Sequence, residues 1–253
     1  FRDQINYAAP KRILVLGDSM MFGASLAQED TFTEVLQRHL GDVDVVNTAV
    51  SGTGTNRQLL LYKKIKETVP HDLVITAFVI HNDGVNNTAN LPTRPRFIVA
   101  DGELKLIRSP WVEEHARRAS LQDFVGALGL RSPRIIYFNT KDIPVFKDVY
   151  RLIGLQGNTA ELEPNITTND QNPPDHVTSH SEISVALLGK IDALAPESDK
   201  KGSLVLLIPS HGTLWNPQET DTSYHQELTR ELLKSLESLG ICTYNLHDDL
   251  QEV

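Results

Sequence analysis

Arg12-Ile-Leu-Val-Leu16, followed at once by Gly17-Asp18-Ser19, is the stretch from which the fold of this chain can be predicted. The four residues after Arg12 are all apolar, and such a run suits a central parallel strand, because helices cover both faces of such a strand. Comparable short apolar runs recur along the chain. They predict four further strands at residues 43–46, 73–80, 204–208 and 241–246.

Helical patterns separate these predicted strands. Thr31-Phe-Thr-Glu34 has the spacing of a capping box, and apolar residues follow it at helical intervals up to Gly41. Further helices are predicted over residues 56–68 and over the leucine stripe that Gly240 closes. Because parallel strands need crossover connections, this order predicts an α/β fold with three layers, of the flavodoxin-like type, around a five-stranded parallel sheet.

About 120 residues separate the third and fourth strands, far more than a single crossover needs. We interpret the chain as one domain, 1–253, with an insertion at 85–200. The insertion contains a predicted β-hairpin, since Asp101-Gly102 between two apolar segments suits a type I′ turn. The polar stretch 157–180 is predicted to be a loop, and Ser181 is predicted to cap the helix that follows.

Composition excludes several classes of protein. The 253 residues contain 24 Lys and Arg against 33 Asp and Glu, a net charge of -9 that argues against nucleic-acid partners. No apolar run reaches the roughly 18 residues that a membrane span needs. Cys242 is the only cysteine and the histidines show no metal-ligand spacing, so we expect no disulfide, metal or cofactor. A first residue other than Met suggests a processed or trimmed chain.

Polar residues follow the first three strands where ligands bind in sheets of this kind. A serine at a tight strand-to-helix turn can expose its hydroxyl as a nucleophile. A glycine amide and an asparagine side chain are donors suited to a developing oxyanion. Each also has an ordinary explanation as a helix cap, a turn glycine or a loop amide. The three candidates are Ser19, Gly52 and Asn82.

Together, these motifs resemble the first three sequence blocks of the SGNH (GDSL-type) hydrolase family. Val15-Leu-Gly-Asp-Ser-Met-Met-Phe-Gly23 is similar to the first block, Val46-Asn-Thr-Ala-Val-Ser-Gly52 to the second, and Asn82-Asp83 to the third. The resemblance covers residues 12–83 and, by topology, the last two strands. It implies that Ser19 is the nucleophile. It also implies an oxyanion hole made by the backbone amides of Ser19 and Gly52 and the side chain of Asn82.

Two departures from the family pattern affect the site. Ile80 stands where the third block usually has glycine, and Asp-x-x-His, which supplies the family's base and its orienting acid, is absent from the 253 residues. Three explanations remain: the natural chain continues beyond this sequence, another histidine such as His81 or His211 serves, or the protein is an inactive relative. Asp18 is assigned a structural role, because it is adjacent to Ser19 in the chain and its side chain points elsewhere.

The resemblance implies a serine esterase that works through an acyl-enzyme on Ser19. The substrates it implies are small-molecule esters or O-acetylated carbohydrates, and transfer of the acyl group to another alcohol is a close variant. The alternative from another class is a catalytically inactive, SGNH-like carbohydrate-binding module. Nucleotide or flavin binding is disfavoured, because Arg57 stands where Gly-x-Gly-x-x-Gly needs its third glycine.

Overall fold

A five-stranded parallel sheet forms the centre of the structure, a computed structural model that describes residues 5–89, 95–107, 174–196, 202–210, 214 and 220–251. In chain order its elements are β1 (Lys11–Leu16), α1 (Ser19–Phe22), a short 3₁₀ turn (Gln28–Asp30), α2 (Phe32–Leu40), β2 (Val43–Asn47), α3 (Thr55–Ile65), β3 (Leu73–Val79), α4 (Asp83–Thr88), β4 (Arg96–Ala100), β5 (Glu103–Ile107), α5 (Pro174–Asp192), β6 (Ser203–Ile208), α6 (Thr220–Ser238), β7 (Thr243–Asn245) and α7 (His247–Gln251). None of the helices described is long and apolar enough to cross a membrane.

The strand order is β2-β1-β3-β6-β7, and every neighbouring pair is parallel. This is the flavodoxin-like order, so the predicted fold class is confirmed. Strand β1 lies between β2 and β3, so the chain adds β2 on one side of β1 and then crosses to the other side to form β3. The carboxyl ends of β1 and β3 therefore flank the switch in winding direction, where sheets of this type bind ligands.

Alternate residues of each strand pack against different helices. In β1, Leu14 and Leu16 belong to a core cluster with residues of α3 and α5, whereas Ile13 and Val15 pack with residues of α1 and α2. A third cluster joins β3 and β6 to α6, whose Leu228, Leu232 and Leu236 are fully buried. Helices thus cover both faces of the sheet, which is why its strands are apolar at nearly every position.

The predicted β-hairpin is present. Strands β4 and β5 pair antiparallel, with Ala100 opposite Glu103. Asp101 and Gly102 have φ angles of 56° and 75°, the left-handed values that a two-residue type I′ turn requires at both positions. Phe97 of β4 is buried in the cluster with α3 and α5, so the hairpin contributes to the core.

The chain divides into two compact units, Phe1–Arg108 with Asn172–Val253, and Ser109–Gln171. All the described residues belong to the first unit. Residues 108–173 lie outside the described part of the chain, and so does most of the stretch predicted as a polar loop.

Two local predictions are wrong. Ser181 does not cap a helix, because α5 already begins at Pro174, a residue type that suits a first helical turn. The capping box at Thr31 is not formed, although α2 begins where it was predicted. The Thr31 hydroxyl donates to the carbonyl of Gln28, and the side-chain amide of Gln28 donates to Glu34. The 3₁₀ turn before α2 offers both side chains partners that the sequence pattern does not reveal.

A buried ion pair joins the amino-terminal ends of β1 and β2, the end of the sheet away from the candidate site. Arg12 Nε donates to Asp44 Oδ2 at 2.6 Å, and the other guanidinium nitrogens donate to the carbonyls of Pro70 and Asn6. Replacing Arg12 with Met leaves the Asp44 carboxylate buried with no counter-charge. We expect Arg12→Met to lower the free energy of unfolding in urea by about 3–5 kcal/mol.

The matched control is Lys105→Met, which breaks the exposed pair with Asp101 and should cost less than about 1 kcal/mol. If both substitutions lower the free energy of unfolding by the same amount, the buried ion pair does not stabilise these strand ends.

Candidate active site at the carboxyl ends of the strands

Ser19 is the first residue of α1, directly after the turn that leaves β1. Asp18 is the N-cap, and its Oδ1 accepts a hydrogen bond from Met20 N at 2.8 Å, so the capping role belongs to Asp18. Gly17 allows the sharp turn, because a Cβ there would lie 2.5 Å from Met21 Cγ. Ser19 is half-buried, and within the described residues its hydroxyl makes no hydrogen bond. The hydroxyl therefore stands at a helix start without a competing local partner.

The loop after β2 is bonded to the end of β1. Val50 N donates to the carbonyl of Gly17 at 3.0 Å. The Thr53 hydroxyl donates to the carbonyl of Val50 at 2.6 Å and also lies 3.3 Å from the Gly17 oxygen. Gly52 lies between these two anchors, is exposed, and has φ +74°, a left-handed conformation that glycine adopts without strain. The loop that carries Gly52 is thus fixed against the residue two positions before Ser19.

Asn82 joins the end of β3 to the same place. It is the N-cap of α4, and its Nδ2 donates to Asp18 Oδ2 at 2.8 Å. A carboxylate only accepts, so this contact fixes which end of the Asn82 amide faces Asp18. Nδ2 retains a second hydrogen for another acceptor, and within the described part of the chain the buried Oδ1 has no hydrogen-bond partner.

The structure therefore brings together the three loops that carry Ser19, Gly52 and Asn82, at the switch point of the sheet. Asp18 is central to the arrangement, because one carboxylate oxygen starts α1 and the other holds Asn82. A hydroxyl, a helix start and amide donors at one place are the groups that attack on a carbonyl and stabilisation of the resulting oxyanion require.

Asp83 lies beneath this arrangement, and sequence reasoning gave it no role of its own. Its carboxyl is fully buried, and Oδ2 accepts from Val79 N at 2.9 Å. Burial raises the pKa of the Asp83 carboxyl well above its usual range; the Val79 N–H opposes the rise and the Asp18 carboxylate adds to it. The neutral form of Asp83 is therefore favoured.

The raised pKa of Asp83 predicts a pH-dependent stability. The unfolded chain ionises this group near pH 4, so its contribution to stability is complete below about pH 4 and is lost as the pH rises through the raised pKa. Asn cannot ionise. We expect the Tm of Asp83→Asn, relative to wild type, to increase as the pH rises above about 4 and to level off once the pH has passed the raised pKa, with each pH unit of this rise worth up to about 1.4 kcal/mol.

The Tm values can be measured by differential scanning fluorimetry in matched buffers. The exposed Asp42 gives the control substitution Asp42→Asn, which should leave the pH dependence unchanged. A Tm difference for Asp83→Asn that stays constant with pH would contradict a neutral Asp83.

A cluster of imidazole and phenol rings lies beside α4. His180 Nδ1 and Tyr224 Oη are 2.5 Å apart, and the ring of His225 lies 5.3 Å from that of Tyr224 and 5.7 Å from that of His81. A Cβ on Gly84 would lie 3.2 Å from Tyr224 Oη, so α4 packs directly against this cluster. The cluster brings three imidazole rings and one phenol to the side of α4.

The sequence prediction for part of this cluster is wrong. His180 falls in the stretch predicted to be a loop, but it is buried in α5, and His225 is buried in α6. The sequence does contain one signal that His180 lies in a helix, namely Pro174, a residue type that often begins a helix. His81 is exposed at the turn before Asn82, and His211 lies outside the described residues. Among the residues that the structure describes, no group of His, Cys, Asp and Glu is arranged to hold a metal ion.

Comparison with known proteins finds similarity of fold at low sequence identity. No protein-family model and no curated protein matches the chain. Among solved structures, it is similar to TesA, with 13% identity over 92% of this chain and 77% of that one and a TM-score of 0.44. It is also similar to AlinE4, an SGNH-hydrolase family esterase, with 12% identity over 94% of this chain and 77% of that one and a TM-score of 0.42. A third similar structure is a member of the lipolytic protein G-D-S-L family from Veillonella parvula, with 9% identity over 96% of this chain and 81% of that one and a TM-score of 0.46.

Proposed function

We propose that this chain, whose motifs and sheet order resemble those of the SGNH hydrolases, is a serine hydrolase of ester bonds. The observation that carries the proposal is the convergence at Asp18, whose carboxylate starts the helix of Ser19 and also bonds the side chain of Asn82 at 2.8 Å. The amide donor from another strand end is thus held against the residue directly before Ser19. The sheet switch point is also where a substrate would reach these groups.

In the proposed reaction, Ser19 Oγ attacks the carbonyl carbon of the ester and gives its proton to a base, which passes it on to the leaving alcohol. The oxygen that gains the negative charge accepts from the backbone amides of Ser19 and Gly52 and from Asn82 Nδ2. The alcohol leaves with a proton when the tetrahedral intermediate collapses to an acyl-enzyme. Water then attacks the acyl carbon, and the acid leaves as the Ser19 hydroxyl is restored. A histidine suits the proton transfers, because imidazole titrates near neutral pH.

One exposed apolar side chain lies within three positions of each proposed site residue in the sequence. Met20 follows Ser19, Val50 precedes Gly52 by two positions, and Val85 follows Asn82 by three; their exposed fractions are 61%, 46% and 37%. Met20 of α1, Val50 of the loop after β2 and Val85 of α4 thus each expose a large apolar group. Apolar groups at a site favour an apolar part of the substrate.

This arrangement predicts a preference for acyl chains longer than acetyl. We expect kcat/KM for p-nitrophenyl butyrate to exceed that for the acetate by about tenfold, since the butyrate has two more methylenes and each buried methylene contributes about 0.8 kcal/mol. Met20→Ser should reduce this preference. A higher kcat/KM for acetate would instead favour the second candidate, removal of O-acetyl groups from carbohydrate.

The proposal is tested by hydrolysis of these esters by the purified chain. Turnover above the buffer rate, lost in Ser19→Ala, is the expected result. Product esters formed on addition of a second alcohol, at the expense of free acid, would identify an acyltransferase that uses the same site. Binding of an acylated sugar with no turnover would contradict the proposal and support the inactive binding module.

A further inference from the structure

A buried amide network connects α3, α4 and α5 behind the candidate site. Asn87 of α4 is fully buried; its Oδ1 accepts from Asn56 N at 3.1 Å, and its Nδ2 donates to Ser184 Oγ at 3.1 Å. Asn56 in turn donates through Nδ2 to the carbonyls of Asn86 and Pro95. The buried polar groups of Asn87 are thus satisfied at both ends by residues of other helices.

The network replaces a missing helix cap. Gly54 is the N-cap of α3 and has no side chain to bond the free amides of the first turn. Asn87 Oδ1 bonds the amide of Asn56, the second helical residue, which is the bond that an N-cap side chain normally supplies. The cap of α3 therefore comes from α4.

Close packing accompanies this bond. A Cβ on Gly54 would lie 2.8 Å from Asn86 Cβ and 3.0 Å from Asn87 Oδ1, so glycine is what lets the start of α3 approach α4. The loop before α3 carries Gly52, and the N-cap of α4 is Asn82. Asn87 thus joins α3, whose preceding loop carries Gly52, to α4, whose N-cap is Asn82. Gly52 and Asn82 are the two proposed oxyanion donors that lie outside α1.

We propose that Asn87 is a positioning residue, which sets the distance between the Gly52 loop and the Asn82 side chain by capping α3 from α4. This inference rests on the proposed ester hydrolysis. Asn87 does not touch the substrate. Its loss separates two donors that must meet one oxygen atom, and a displacement of about 1 Å in such a site can lower the rate about 100-fold.

The experiment compares Asn87→Ala with Ser184→Ala, which removes the partner on α5 but keeps the bond from Asn87 to Asn56. Both substitutions should lower the Tm. We expect Asn87→Ala to lower kcat for p-nitrophenyl butyrate roughly 30- to 100-fold with KM within about threefold, and Ser184→Ala to leave kcat within about twofold. Gly54→Ala, which pushes the same two elements apart, should lower kcat as Asn87→Ala does.

A second measurement is independent of turnover. Hydrogen exchange followed by mass spectrometry should show faster exchange in Asn87→Ala both in the peptide that spans 50–58 and in the one that spans 80–88, and in Ser184→Ala in neither. Three results would each overturn the inference. The first is a kcat of Asn87→Ala equal to that of wild type, and the second is an equal loss of kcat in Asn87→Ala and Ser184→Ala. The third is hydrogen exchange that is unchanged in Asn87→Ala. Absence of Ser19-dependent turnover in the wild type would contradict the proposed function alone, because the exchange comparison still decides whether Asn87 couples the two elements.

Discussion

Ser19→Ala should lower kcat for ester hydrolysis by roughly 10⁴-fold or more, to near the rate of the buffer. The expected loss is this large because the hydroxyl is the atom that bonds to the acyl carbon, and the oxyanion donors alone cannot form an acyl-enzyme. The Tm should hardly change, since the capping oxygen of α1 belongs to Asp18 and the Ser19 hydroxyl makes no hydrogen bond among the described residues. Initial rates with p-nitrophenyl butyrate measure the effect.

Ser51→Ala is the matched control for this substitution. Ser51 is an exposed serine beside Gly52 on the neighbouring loop, and its loss should leave kcat within about twofold of wild type. If Ser51→Ala removes the activity and Ser19→Ala does not, the nucleophile has been assigned to the wrong loop.

Asn82→Ala is expected to lower kcat by about 10²- to 10³-fold with a small change in KM, because an oxyanion donor acts mainly in the transition state. The substitution also removes the bond from Asn82 Nδ2 to Asp18, so part of the loss comes from a less ordered start of α1. Asn82→Asp should be at least as damaging as Asn82→Ala, since a carboxylate there would face both Asp18 and the negative oxygen of the intermediate.

The control for Asn82 is Asn245→Ala. Asn245 ends β7, the edge strand, and its Oδ1 accepts from His247 N. It is an asparagine at a strand end with a local bond and no place in the proposed site, so its loss should leave kcat within about twofold. Equal effects of Asn82→Ala and Asn245→Ala would show that Asn82 only stabilises the fold.

The fold could be predicted from the sequence because its strands are buried on both faces. Apolar runs such as 13–16 and 204–208 lie in the centre of a sheet that helices cover on each side, and the hairpin turn at Asp101-Gly102 has a specific chemistry. The start of α5 at Pro174 could not be predicted as readily, because its first turns are polar and resemble a loop until a tertiary partner is known.

The loops of the candidate site could be placed from the order of the strands alone, because parallel strands end at one edge. The bond from Asn82 to Asp18 joins residues 64 positions apart, and no spacing rule predicts it. The same holds for Asp83, where burial favours the neutral carboxyl, and for Asn87, where a cap comes from another helix. Each depends on contacts between elements that are distant in the chain.

The activated state of Ser19 is tested most directly with a fluorophosphonate, followed by intact mass and peptide mapping. The reagent reacts with a serine whose hydroxyl is activated and whose oxyanion donors are in place. We predict one adduct per chain, on the peptide that contains Ser19, absent in Ser19→Ala and formed more slowly in Asn82→Ala. No adduct, or an adduct on another residue that persists in Ser19→Ala, would contradict the account of this chain as a serine hydrolase.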